Sequence, residues 1–105
     1  MAEGIQNYAG EDFEALVATG TTLVDFWAPW CSPCQMQGKI LEQQTAPAVA
    51  GKAKIVKVNI DEYQQLAVNY GVQSIPALFI FKNGVLTDEF VGLKRSEELV
   101  ELLLN

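Results

Sequence analysis

The 105-residue sequence contains no histidine and only two cysteines, Cys31 and Cys34, with two residues between them. A closed zinc site takes four ligands, so two thiols without an imidazole cannot complete one within this chain. A zinc or iron–sulfur site could form only between chains or with unusual ligands, and no metal is expected. Basic residues are scarce as well: seven Lys and Arg stand against thirteen Asp and Glu, for a net charge of −6. Without a Lys/Arg cluster, nucleic acid and anionic membranes are excluded as partners. Long apolar runs are also missing, and none could span a bilayer. The opening "MAEGIQNYAGEDF" lacks a basic stretch followed by an apolar core. No export signal is therefore visible, and a cytoplasmic location is expected. There the thiol pool keeps cysteines reduced, which argues against a structural disulfide.

What remains is a chain that is 50% hydrophobic. That length and composition suit one domain, residues 1–105, with a real core. The two cysteines lie in "WAPWCSPCQM" (27–36), just after both tryptophans. A bridge between them closes a very small loop. Cross-links stabilise mainly by restricting the unfolded chain, so this one restricts little. With staple and metal both weak, the reading left is a reactive thiol pair.

Periodicity places the pair. "EDFEALVA" (11–18) sets Phe13, Leu16 and Val17 on one helical face. "TLVDFWA" (22–28) and "KIVKVNI" (54–60) are β-rich runs. Cys34 to about Thr45 reads as helix, with Met36, Ile40 and Leu41 on a common side. "DEYQQLAVNYG" (61–71) reads as a helix with an acidic first turn and Gly71 at its C-terminal end. "ALFIF" (77–81), Asn83-Gly84 and "TDEFVG" (87–92) read as a hairpin. "SEELVELLL" (96–104) reads as a helix capped by Ser96. Strand–helix–strand followed by a hairpin and a terminal helix predicts an α/β fold, a central mixed β-sheet flanked on both faces by α-helices.

Cys31 thus falls where a strand ends and a helix begins. Free N–H groups and the helix dipole favour an anion there, which favours the thiolate, the nucleophilic form. Pro33 suits a first helical turn. Cys34, three residues on, shares the helical side of Cys31 and is expected to be more buried.

The segments "FWAPWCSPC", "VNID", "YGVQSIPALFIFKNG" and "FVG" resemble the thioredoxin family, in that family's order and over almost the whole chain. The resemblance implies the thioredoxin fold. It implies a thiol–disulfide oxidoreductase that reduces protein disulfides, with Cys31 as nucleophile and Cys34 as resolving thiol. No cofactor is implied beyond the redox-active Cys31–Cys34 pair. Electrons would come from a thioredoxin reductase, and the partners would be disulfide-containing proteins met by a monomer. Asp25 and Lys57 interrupt apolar runs, and each could simply reach the sheet end and water. The family arrangement instead sets Asp25 behind Cys34, as acceptor of its proton, with Lys57 near Asp25. Ile75-Pro76 on residues alone is an ordinary turn before a strand. The resemblance makes that bond cis and turns it toward the cysteines, so that Trp30, Ile75, Pro76, Gly92 and Leu93 form an apolar rim. The backbone of Ile75 would pair with an extended substrate. Trp27 reads as packed support, Gly84 as a turn residue, and Gly92 as a point of close backbone approach.

Several positions depart from the family pattern. Ser32 replaces a glycine and, with Pro33, is expected to tune the redox chemistry. Gln35 replaces a basic residue. Lys39, after Gly38, replaces a helix proline, and Pro47 stands near the expected helix end. Two other functions fit the same residues. One is a thiol oxidase or isomerase on this fold. The other is a binding module whose rim docks a partner while the thiols are incidental. A reduction potential separates the first from a reductase, and a double Cys→Ser variant separates the second.

Overall fold

The computed structural model describes residues 4–105. Residues 1–3, the start of the stretch read for an export signal, lie outside the described residues. The sheet is organised around strand β2 (Thr21–Trp27), whose five inner positions are all buried. It pairs in parallel with β3 (Ala53–Asn59) and antiparallel with β4 (Ala77–Lys82). Strand β1 (Ile5–Asn7) runs parallel to β3 on its outer side, and β5 (Val85–Val91) runs antiparallel to β4. The order is therefore β1-β3-β2-β4-β5, a mixed five-stranded sheet.

Side chains alternate across the sheet and define two cores. Val24, Phe26, Val56, Val58, Phe79 and Phe81 meet Phe13, Val17 and Ala67 on one side. These belong to α1 (Phe13–Leu16), its C-cap, and α4 (Gln64–Asn69). Leu23, Ile55, Leu78 and Ile80 face the other side. There they meet Leu41, Ala46 and Val49 of the helical run that begins with α2 (Ser32–Ile40) and ends with α3 (Ala46–Val49), and Leu99 and Leu103 of α5 (Ser96–Leu104). Each fully buried Leu, Ile or Phe contributes about 1.5–3 kcal/mol relative to exposure. The expected architecture, helices on both faces of a mixed sheet, is the one observed.

Several details differ from the sequence reading. Strand β1 was not expected; three residues at a sheet edge carry no alternation to read. Helix α4 starts at Gln64, which leaves Asp61 and Glu62 in the preceding turn. Gly71 does close it: φ is +69°, its N–H donates to Val68, and the Val72 N–H donates to Ala67. This is the double hydrogen bond that a left-handed glycine permits past a helix end. In α5, Ser96 is the first helical residue and Arg95 holds the cap position without a side-chain bond. The Ser96 hydroxyl is buried and lies 2.8 Å from that of Thr45.

The helix that carries Cys34 begins at Ser32, two residues earlier than expected, and passes straight through Lys39. Residues Leu41–Thr45 then form one π turn, with the Ala46 N–H donating to the Leu41 carbonyl. Pro47 follows inside α3. A proline ring crowds the carbonyl four residues back in a regular helix, and a widened turn just before it relieves that contact. The buried stripe is Cys34, Gln37, Leu41 and Thr45, while Met36 is 56% exposed. Burying Cys34 against the sheet sets this phase, because neighbours on one helical face are three or four residues apart.

Candidate functional site

Strand β2 ends at Trp27, and the turn beyond it delivers Cys31 to the N-cap of α2. The turn is closed by a bond from the Cys31 N–H to the Ala28 carbonyl. Pro33 lies in the first helical turn, where its missing donor is not needed. Cys31 and Cys34 are joined in a disulfide with their Cα atoms 5.2 Å apart. The Cys34 backbone N–H points at the Cys31 Sγ from 3.2 Å. A free helix-terminal N–H therefore already faces the sulfur on which negative charge would develop. Cys31 is 7% exposed and Cys34 1%. Ala28 completes this small cluster, with Trp27, Ile60 and Ile75 packed against it.

The rim residues come from three separate loops. Trp30 is 68% exposed, and its indole N–H donates to the Asp61 carboxylate at 3.0 and 3.3 Å. The Ile75-Pro76 bond is cis, and the Ile75 carbonyl oxygen lies 3.8 Å from Cys31 Sγ. Gly92 follows the end of β5 at φ +95° and donates its N–H to the Pro76 carbonyl at 2.8 Å. Nothing lies within 4 Å of where its β-carbon would stand. The backbone angle, and not close approach, is what calls for glycine at this position. Val91 and Leu93, on either side of it, are exposed.

Asp25 and Lys57 are register partners on β2 and β3. They share the sheet face covered by α2 and α5. Asp25 is fully buried, and neither carboxyl oxygen has a hydrogen-bonding partner among the described residues. Burial pushes its pKa up to about 7, and the Lys57 charge opposes that rise without cancelling it. Asp25 does not reach water at the sheet end, whereas Lys57 is half-buried. The Lys57 ammonium sits 4.5 Å from the centre of the Trp27 ring. It also flanks Gly38 of α2 and borders a cleft with Trp27, Asn59 and Glu62. Ser32 is exposed at the mouth of the site.

Reading the sequence missed Gln37, which is completely buried one turn beyond Cys34. Its Oε1 accepts from the Lys94 N–H at 2.8 Å, and its Nε2 donates to the Lys94 carbonyl at 3.1 Å. The available signal was its spacing of three from Cys34, which puts it on the same buried side. Among the described residues, no group of three or more Cys, Asp or Glu side chains could hold a metal ion. No helix among them is long and apolar enough to cross a membrane.

Comparison with known proteins agrees with this geometry. Residues 4–105 match the family model described as thioredoxin. Thioredoxin from Staphylococcus aureus is 46% identical over 92 residues, covering 88% of each chain. The solved thioredoxin of Malassezia sympodialis superposes with a TM-score of 0.83 at 32% identity, covering 100% of this chain and 96% of its own. A point-mutant thioredoxin of Halobacterium salinarum superposes with a TM-score of 0.77 at 33% identity, covering 94% and 87%.

Proposed function

Since this chain belongs to the thioredoxin family and is a thiol–disulfide oxidoreductase, we propose how its own side chains divide the exchange. Cys31 is the nucleophile. Its thiolate attacks one sulfur of a substrate disulfide, forming a mixed disulfide and releasing the other substrate sulfur as a thiolate. Cys34 then gives up its proton and attacks the Cys31 sulfur. The second substrate thiolate leaves, the Cys31–Cys34 disulfide closes, and two electrons have passed to the substrate. The observation that carries this assignment is the contact from the Cys34 N–H to Cys31 Sγ at 3.2 Å. It favours charge on Cys31 and on no other sulfur.

Asp25 is the acceptor of the Cys34 proton. A carboxyl with a pKa of about 7 is poised to take and return a proton near neutral pH. Lys57 limits the cost of ionising it. Trp30, Ile75, Pro76, Gly92 and Leu93 form the surface that holds an extended segment of the substrate, with the backbone of Ile75 pairing as a strand would. Ser32 and Pro33 tune the couple. The chain acts as one domain and as a monomer, with no cofactor beyond its cysteine pair. It is recharged by a thioredoxin reductase in the cytoplasm, where a reductant of disulfides works alongside a reducing thiol pool.

Trapping tests the central assignment. Cys34→Ser should accumulate a mixed disulfide with a protein substrate through Cys31, read by mass spectrometry. Trapping found only through Cys34, in the Cys31→Ser variant, would reverse the two roles.

A further inference from the structure

Gln37 is a polar side chain in an apolar setting, and both ends of its carboxamide are matched by one residue, Lys94. It offers Lys94 the donor and acceptor that a neighbouring strand would offer. Strand β5 has already ended at Val91, so Lys94 has no strand partner for these groups. The Lys94 side chain is turned elsewhere: its ammonium lies 4.7 Å from the Phe90 ring centre and 3.7 Å from Glu98. Only the backbone of Lys94 is engaged by Gln37.

Two residues before Lys94, the Gly92 N–H is bonded to the Pro76 carbonyl. The segment Gly92–Lys94 is therefore held at both ends. One anchor is the residue following Ile75, whose carbonyl touches Cys31, and the other is the residue one helical turn beyond Cys34. Leu93 stands between the anchors, 46% exposed.

We propose that Gln37 is a positioning residue for protein substrates: it fixes the segment carrying Leu93 relative to the disulfide, so that this wall of the groove is set before a substrate arrives. The inference rests on the rim described under Proposed function. Its physical basis is preorganisation. A loop that must be ordered at the moment of binding subtracts that ordering from affinity. The amide hydrogen bonds of Gln37 go to the loop and none to a sulfur, so thiol reactivity should be untouched.

Gln37→Met keeps an unbranched side chain of similar length and removes both hydrogen bonds. The readouts are KM and kcat for insulin and for a small aromatic disulfide, with dithiothreitol as reductant, and amide exchange at Lys94. The expected result is a KM for insulin raised roughly fivefold, equivalent to about 1 kcal/mol. The kcat should be preserved, the small disulfide reduced at the normal rate, and the Lys94 amide exchange faster. An unchanged insulin KM with faster exchange would overturn the proposal, leaving Gln37 a purely structural bond. Equal slowing on both disulfides would overturn it too, because the effect would then lie in the thiols. If Gln37→Met fails to fold, Gln37→Leu, which also removes both hydrogen bonds and places no charge in the buried site, takes the same comparison and should show the same rise. Leu93→Ser separates this inference from the reading beneath it. If it leaves the insulin KM unchanged, the rim itself is wrong and the proposal falls with it. If it raises the KM while Gln37→Met does not, only the proposal falls.

Discussion

A methyl group on Gly38 would lie 3.2 Å from Nζ of Lys57. Helix α2 therefore rests against the ammonium with no side chain in between. Among the described residues, the same ammonium is the charge that draws the Asp25 carboxyl downward against the effect of burial. The residue that permits the close approach and the residue whose protonation depends on it lie on different elements, α2 and β2.

Gly38→Ala is expected to stabilise the protein. Alanine gains up to about 1 kcal/mol over glycine in a helix interior. The group it meets is the far end of a flexible side chain, which can give way toward the cleft beside Trp27 and Asn59. Chemical denaturation should show a gain of roughly 0.5–1 kcal/mol. Because the ammonium moves away from the packed carboxyl, the Asp25 titration followed by carboxyl NMR should shift above its midpoint of about 7. Loss of stability would show that the ammonium has no room to move.

Asp25→Asn is expected to stabilise the fold in a pH-dependent way. The folded pKa of about 7 lies above the unfolded value of about 3.9, so the folded state binds the proton more tightly. Stability conferred by the neutral carboxyl is complete below about pH 4 and is lost as pH rises through 7. The asparagine variant cannot ionise. Its advantage should be near zero at pH 4, grow across the interval, and level off above pH 7 at a few kcal/mol, taking about 1.4 kcal/mol per pKa unit. Denaturation curves between pH 4 and 8.5 measure it, and a pH-independent difference would contradict a buried titrating acid.

The same variant should resolve its mixed disulfide slowly. Positioned acid–base groups contribute about 10²–10⁴-fold, and loss of the acceptor should cost on the order of 10²-fold in that step. Single-turnover quenching separates resolution from attack. A variant that resolves at the normal rate would remove Asp25 from the chemistry and leave it a structural curiosity of β2.

Ser32→Gly tests the hydroxyl at the mouth of the site. A hydroxyl that donates to the Cys31 thiolate acts only on the reduced form and makes it easier to reach. Removing it should make the couple more reducing by up to ~30 mV, equivalent to about 1.4 kcal/mol for two electrons. Equilibration against glutathione reads the shift. An unchanged potential reduces Ser32 to a small residue in a turn, and a shift toward oxidising values contradicts the hydrogen bond.

Asp61→Ala should loosen Trp30 without unfolding anything. The indole of Trp30 is largely exposed and tied to the turn after β3 by the Asp61 carboxylate. Stability should change by less than about 0.5 kcal/mol, as for ordinary surface substitutions. The KM for insulin should rise about two- to threefold if a held indole contributes to binding. A normal KM would mean that Trp30 binds equally well when free.

Elements with strong local chemistry were legible in the sequence. Asn83-Gly84 between two β-rich runs announced the hairpin, and Gly71 marked the end of α4 because a left-handed residue closes that pair of hydrogen bonds. What could not be read depended on distant partners. Ser96 has the chemistry of a cap, yet its hydroxyl is taken by Thr45, fifty-one residues away in sequence. Met36 read as a core-side residue, and Gln37 gave no reading at all. Their facing follows from the phase that Cys34 imposes and from the Lys94 backbone, neither visible in a local window. Asp25 and Lys57 stood out as charges within apolar strands, but only the register of β2 and β3 makes them neighbours.

The π turn at Leu41–Thr45 has a consequence for chain length. It is a helical turn holding one residue more than α geometry requires, and its middle residues, Glu42, Gln43 and Gln44, are all exposed. Deleting Gln43 together with Pro47→Ala would convert the bond from the Ala46 N–H to the Leu41 carbonyl into an ordinary α-helical one. Cys34 upstream and Thr45 downstream would keep their facing. In genetic terms, once Pro47 is replaced this stretch can lose a codon and remain silent in space, whereas the same deletion between Cys34 and Leu41 would rotate the helix beneath the cysteines.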